Sequence, residues 1–172
     1  MLPPQPYQHL RVDEIRLYSD FREIQAIGLT EEGGLSRTSL SMADIAARQW
    51  FAGRIEEAGL TVRDDDAGNL SGVLSCSNRK ARTLLVGSHL DSVPNGGHYD
   101  GVIGVLAALE CLRVLHENAV DLPFHVEAID FTDDEGSYLG MFGGRALAGA
   151  LASDALQDTP DADHGPFRAA LG

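Results

Sequence analysis

Residues 100–115 read Asp-Gly-Val-Ile-Gly-Val-Leu-Ala-Ala-Leu-Glu-Cys-Leu-Arg-Val-Leu, a helical stretch that is apolar on nearly every side. A helix of that kind is unstable on a wet surface and is expected to pack deep against a sheet. Two short apolar runs flank it, Thr-Leu-Leu-Val at 83–86 and Val-Glu-Ala-Ile-Asp-Phe at 126–131. Both fit strands, and 83–86 is a candidate for a central one. Strand, buried helix and strand in that order point to an α/β domain with a largely parallel centre.

The flanking segments add to this frame. A first helix is expected after the Pro3-Pro4-Gln5-Pro6 opening, with Leu10, Leu17, Phe21 and Ile24 on one face and Gly28 as its stop. Residues 30–41 read as a long polar loop. A second helix is marked by Ser41 with Asp44 three residues on, by Ala47, Phe51, Ile55 and Ala58, and by Gly59 at its end. Residues 60–62 and 70–75 form a candidate hairpin around Asp64-Asp65-Asp66-Ala67-Gly68-Asn69, which lacks the glycine and final glutamate of a calcium loop and reads as a turn. Residues 136–144 read as a glycine-rich loop, 145–151 as a short helix, and 159–172 as a polar tail with a weak final helix.

Composition narrows the function classes. The chain has 172 residues, enough for one domain or the first part of a larger protein. Thirteen basic against 26 acidic side chains give a net charge of −13, with no Lys/Arg cluster, so a nucleic-acid partner is excluded. The apolar stretches are short of a bilayer span and Met1-Leu2-Pro3-Pro4 opens no signal core, so the expectation is a soluble, cytoplasmic protein with no membrane partner. Cys76 and Cys111 cannot build a disulfide framework or a four-cysteine zinc site, and Cys111 reads as inert packing on the buried helix. Any metal must be held by histidine and carboxylates.

Three polar clusters sit at the expected carboxyl ends of the strands or open the helix between them, where open α/β sheets place their sites. His89 and Asp91 are two apart on an extended chain and point the same way, so Asp91 is placed to orient a metal-binding imidazole. A solvated strand end is an equally good reading of His-x-Asp alone. Asp100 reads as a helix N-cap or as a carboxylate able to bridge two cations. Asp133, Asp134 and Glu135 put three carboxylates on one strand end, which is costly without a cation, although an acidic turn is common in so acidic a chain. Oxygen and imidazole donors without cysteine suit a catalytic centre of the zinc or manganese kind. His9, His98, His116, His125 and His164 have no partner pattern and read as surface or satisfied residues.

The segments Gly87-Ser88-His89-Leu90-Asp91-Ser92-Val93-Pro94-Asn95-Gly96-Gly97, Tyr99-Asp100-Gly101 and Phe131-Thr132-Asp133-Asp134-Glu135-Gly136-Ser137 resemble the hydantoinase/carbamoylase family of dinuclear metal amidohydrolases. That family includes N-carbamoyl-L-amino-acid hydrolases, allantoate amidohydrolases and β-ureidopropionases, within the aminoacylase and zinc-exopeptidase superfamily. Gly33-Gly34-Leu35-Ser36-Arg37, Asp66-Ala67-Gly68-Asn69-Leu70 and Gly144-Arg145-Ala146-Leu147-Ala148-Gly149 extend the likeness. Residues 1–32, ahead of the likeness, are expected to form an N-terminal helix and loop. The resemblance implies residues 33–172 as the N-terminal part of a zinc-exopeptidase-like, three-layer catalytic domain with a mixed, centrally parallel sheet.

The resemblance also implies roles and chemistry. Two divalent ions (zinc, or manganese, cobalt or nickel) would be held by His89 on one side and Glu135 on the other, with Asp100 bridging both and Asp91 orienting His89. The general-base position, a glutamate in the family, is Asp134 here. The reaction implied is hydrolysis of a linear ureido or amide C–N bond of a small molecule, with metal-activated water as nucleophile. Family members continue beyond the stretch matched here through a His-Ile-Glu-Gln segment, a lid used for dimerisation and substrate binding, and a Gly-His-Asp stretch, which supply the second histidine of each metal. The expectation is a chain without that lid domain, binding metal weakly and slow or inactive alone. Two other readings stand beside it: a non-catalytic truncated or split-gene fragment that needs a complementary C-terminal chain, and a dizinc aminopeptidase.

Overall fold

The computed structural model describes residues 7–152 and residue 155. Their elements run α1 (Glu14–Gln25), α2 (Met42–Glu57), β1 (Thr61–Asp64), β2 (Leu70–Leu74), β3 (Thr83–Ser88), α3 (Val102–Glu117), β4 (His125–Asp130) and α4 (Phe142–Leu147). The strands form one sheet in the order β1-β2-β4-β3. The hairpin β1–β2 and the β2–β4 pair are antiparallel, whereas β3 and β4 run parallel, so the sheet is mixed. The final tail and the weak helix expected there lie outside the described residues.

Register explains why α2 and α3 share a layer. A side chain added at Gly72 of β2 would meet Ile55 of α2, and one added at Gly104 of α3 would meet Ser88 of β3. Gly72 pairs with Ala128, and Ser88 pairs with Asp130 two residues on, so both contacts fall on one face of the sheet. Between that face and the helices sits the core, with Phe51, Ile55, Leu70, Val105, Leu109, Val126 and Ala128 buried. Burying side chains of this size stabilises by about 1.5–3 kcal/mol each.

Outside this layer, α1 braces α3 through the ion pairs Arg16–Glu110 (2.8 Å) and Asp20–Arg113, and its Phe21 stacks at 5.1 Å on Tyr99 in the loop before α3.

Several expectations need correction. Leu10 precedes α1, because Asp13 caps the helix by accepting the N–H groups of Ile15 and Arg16 at 3.0 Å. Residues 83–86 form an edge strand within the described sheet, and Leu84 is 49% exposed. The helix α3 is buried where it meets the sheet and where it meets α1, and its remaining side is open. Ile103 (51% exposed), Ala107 and Cys111 recur at four-residue spacing on its open side, so Cys111 is not buried packing. The short last helix begins at Phe142, three residues early, because carbonyls of the strand end receive the N–H groups that open it. Met141, Phe142 and Gly143 donate to Asp134, Asp133 and Thr132 at 3.0, 3.2 and 2.8 Å.

The capping pair forms as expected: Ser41 Oγ accepts the Asp44 N–H at 3.2 Å, and Asp44 Oδ2 accepts the Leu40 N–H at 2.8 Å.

Candidate metal centre

The parallel pairing of β3 and β4 ends at the Ser88–Asp130 partners, so the loops that follow both strands leave the sheet side by side. One carries His89 and Asp91, the other Asp134 and Glu135. The start of α3 brings Asp100 to the same place. Its N-cap is Gly101, at φ +66°, with no side-chain cap, so Asp100 does not serve as the cap. A Cβ at 101 would run into the His89 backbone and imidazole, so only glycine lets the helix start come this close.

His89 Nε2 faces three carboxylates: Asp134 Oδ2 at 3.7 Å, Asp100 Oδ1 at 3.8 Å and Glu135 Oε1 at 3.9 Å. One donor atom each from His89, Asp100 and Glu135 lie within 4.8 Å of one another. The other ring nitrogen lies 3.0 Å from the Asp91 carbonyl, which can only accept, so Nδ1 carries the proton and Nε2 is the nitrogen aimed at the acids. Asp91 thus orients the imidazole through its backbone, with its Oδ1 at 3.4 Å and without a hydrogen-bond partner. Its Oδ2 accepts the Glu135 N–H at 3.1 Å and ties the two loops together.

Asp133 does not join this cluster. Its carboxylate accepts the N–H groups of Ser137, Tyr138 and Leu139 at 2.7, 3.1 and 2.6 Å and organises the glycine-rich loop. His98 Nε2 donates to the Gly33 carbonyl at 2.6 Å, and His125 Nδ1 accepts the Cys76 N–H at 3.1 Å, so both serve loop structure.

Charge crowding shows in the titration of the site. Burial works against a charged His89, yet the Asp91 carboxylate and carbonyl beside Nδ1, with the charge of Asp134, outweigh that and push it up to about 9. Burial, reinforced by Asp100, Asp91 and Asp134, raises Glu135 against the pull of His89. A cation relieves such crowding, and one imidazole with several carboxylates is the donor set for a hard or borderline divalent ion. By donor type and spacing, with Nε2 turned toward the three carboxylates, these residues fit a metal.

Four supporting residues were not singled out by pattern. Asp130 Oδ1 accepts the Leu90 N–H at 2.8 Å while its Oδ2 takes Arg48 at 3.0 Å, and burial pushes it up to about 7. Asn69 accepts the Thr132 N–H at 3.0 Å and donates to Gly143 at 3.2 Å. Arg37 is buried beneath the His89 loop.

Residues 69–162 match Peptidase family M28. The N-carbamoyl-L-amino acid amidohydrolase of Geobacillus stearothermophilus is 42% identical over 144 residues, covering 83% of this chain and 35% of its own length. The ureidoglycolate hydrolase of Arabidopsis thaliana is 33% identical over 153 residues, covering 87% of this chain and 32% of its own. A hydantoinase/carbamoylase family amidase from Burkholderia ambifaria superposes with a TM-score of 0.88 at 36% identity, covering 94% of this chain and 40% of that one. The chain therefore spans 32–40% of the length of these relatives.

Proposed function

Because this chain belongs to Peptidase family M28, among its hydantoinase/carbamoylase amidohydrolases, we propose that it carries part of a metal-dependent centre hydrolysing linear ureido or amide C–N bonds. Small molecules of the N-carbamoyl amino acid or allantoate type are the substrate class. The observation that carries the reading is the convergence of His89, Asp100 and Glu135 within 4.8 Å, with Asp134 facing the same imidazole nitrogen.

In this reading His89 and Asp100 hold one divalent ion, Asp100 and Glu135 the other, and Asp91 fixes the ring of His89. Zinc or manganese, and also cobalt or nickel, suit the donors. When bound, such ions supply Lewis-acid polarisation and lower the pKa of water. Asp134 takes the proton from the attacking water and passes it to the leaving amine. Its carboxylate is one methylene shorter than a glutamate's, and a misplacement of about 1 Å costs on the order of a hundredfold in rate.

Each ion receives one terminal ligand and a share of Asp100 from the described residues, below the three protein ligands typical of catalytic zinc. The chain alone is therefore expected to hold metal weakly and turn over slowly, and a complementary chain with further histidines would raise both. Among the described residues no helix is long and apolar enough to cross a membrane.

The test is metal content and ammonia release from N-carbamoyl-L-amino acids and allantoate, with dipeptides as the competing class. Metal uptake that is lost in His89→Ala, with slow release from the ureido substrates, is expected. Turnover of dipeptides in preference, or uptake unchanged in His89→Ala, would overturn the reading.

A further inference from the structure

Arg37 is fully buried, at 0% exposure, in a position where an apolar residue would cost less. Among the described residues its guanidinium makes no close ion pair. Nε donates to the Leu90 carbonyl at 3.0 Å, and Nη1 donates to the carbonyls of Ile24 at 2.9 Å and Ile27 at 3.0 Å. Nη2 has no hydrogen-bond partner. Burial disfavours its charge, and Asp44, Asp130 and Asp91 offset that from around it. The backbone of Arg37 is tied to the same loop: its N–H donates to Ser92 Oγ at 2.9 Å, and its carbonyl accepts the Ser92 N–H at 2.9 Å.

The loop between His89 and Ser92 is thereby held from behind at both ends of one residue. Asp130 takes the N–H of Leu90 at 2.8 Å, and Arg37 takes its carbonyl. Leu90 points into the core, fully buried, so its neighbours His89 and Asp91 are turned toward the acid cluster. The same guanidinium donates to the Ile24 carbonyl at the end of α1, where the helix dipole favours a cation. One buried side chain thus connects α1, the loop at residues 28–37 and the loop that presents the imidazole.

We propose that Arg37 is a positioning residue of the metal centre, its buried guanidinium holding the Leu90 carbonyl so that Asp91 stays against Nδ1 of His89 and the imidazole stays aimed at the cation. This rests on the metal-centre reading above. Outer groups that orient a metal ligand typically govern about 10–100-fold in affinity. A merely structural arginine would lower stability and leave the affinity of the folded protein alone.

The test is Co2+ binding by the metal-free chain, followed by absorption, with amide hydrogen exchange on the same samples. Arg37→Met should weaken Co2+ binding by roughly tenfold or more and speed exchange at Leu90 and Ser92, while the amides of Phe51 and Ile55 stay protected. Arg37→Lys, which keeps a donor and the charge, should restore part of the affinity. Ile55→Val, a core change away from the loop, should lower the Tm and leave Co2+ affinity within about twofold. If Arg37→Met does not fold, Arg37→Lys decides, with a loss of about threefold or more expected.

Parent and Arg37 variants binding Co2+ equally well would overturn this inference alone. A parent chain that takes up no Co2+ would defeat the metal-centre reading and this inference with it.

Discussion

The two sides of the acid cluster are built differently. On the β3 side the His89 side chain is 8% exposed, its Nδ1 is bonded to the Asp91 carbonyl, and Leu90 between them is held by Asp130 and Arg37. On the α3 side Asp100 is 71% exposed, and its approach to His89 is 3.8 Å. Glu135 stands between, its N–H fixed by Asp91 and its side chain partly open to solvent. Buried polar groups must find partners as the chain folds, so the imidazole side is set before any ligand arrives. Exposed carboxylates that repel one another are drawn together by the ion itself.

That difference ranks the expected effects. The largest belongs to His89→Ala, which removes the nitrogen donor and should cost on the order of a hundredfold or more in zinc affinity by calorimetry. Asp91→Ala follows, because it frees the Glu135 N–H and changes the surroundings of the imidazole; about tenfold to a hundredfold is expected in the same titration. Asp100→Asn should cost less, about tenfold, since the amide keeps an oxygen donor and no buried partner is left behind. Equal losses at Asp91 and Asp100 would erase the distinction between the two sides.

Much of this arrangement is legible in the residues themselves, and the exceptions follow a rule. The hairpin, α2 with its capping pair, and the strands on either side of α3 follow from apolar periodicity and turn residues. His89, Asp100, Asp134 and Glu135 could be placed together because each follows a strand or opens the helix between them. What pattern did not reveal was which carboxylate faces where. Asp133 sits in the same acidic run as Asp134, yet its left-handed backbone, at φ +53°, turns its carboxylate onto three N–H groups of the next loop. The edge position of β3 was hidden too, because a continuous apolar run looks the same whether one side or both are covered. Arg37 and Asp130 left little trace, since their partners, mostly backbone groups, lie 10 or more residues away, some more than 50.

Two smaller effects sharpen the comparison. Asp134→Glu restores the missing methylene and should raise kcat on ureido substrates tenfold or more, about 1.4 kcal/mol of barrier, with metal affinity unchanged. Above neutral pH the buried side of the metal-free chain responds through His89, the raised acids Asp44 and Asp130 titrating lower, at about 6 and about 7. The folded chain holds the His89 proton up to about 9, above the ordinary 6.5. Stability from the charged imidazole is therefore fully present below about 6.5 and lost as pH rises through about 9. Thermal melts should show a Tm that declines by several degrees across that window and a flatter profile in His89→Gln. Because Nε2 must lose its proton to bind, zinc affinity should rise over the same range.

The most direct measurement is a calorimetric titration of the metal-free chain with Zn2+, run in parallel on His89→Ala, Asp100→Asn and Glu135→Gln. Saturable uptake by the parent, weakened in all three variants and most in His89→Ala, is the predicted result. Uptake by the parent that none of the three substitutions alters would contradict the account.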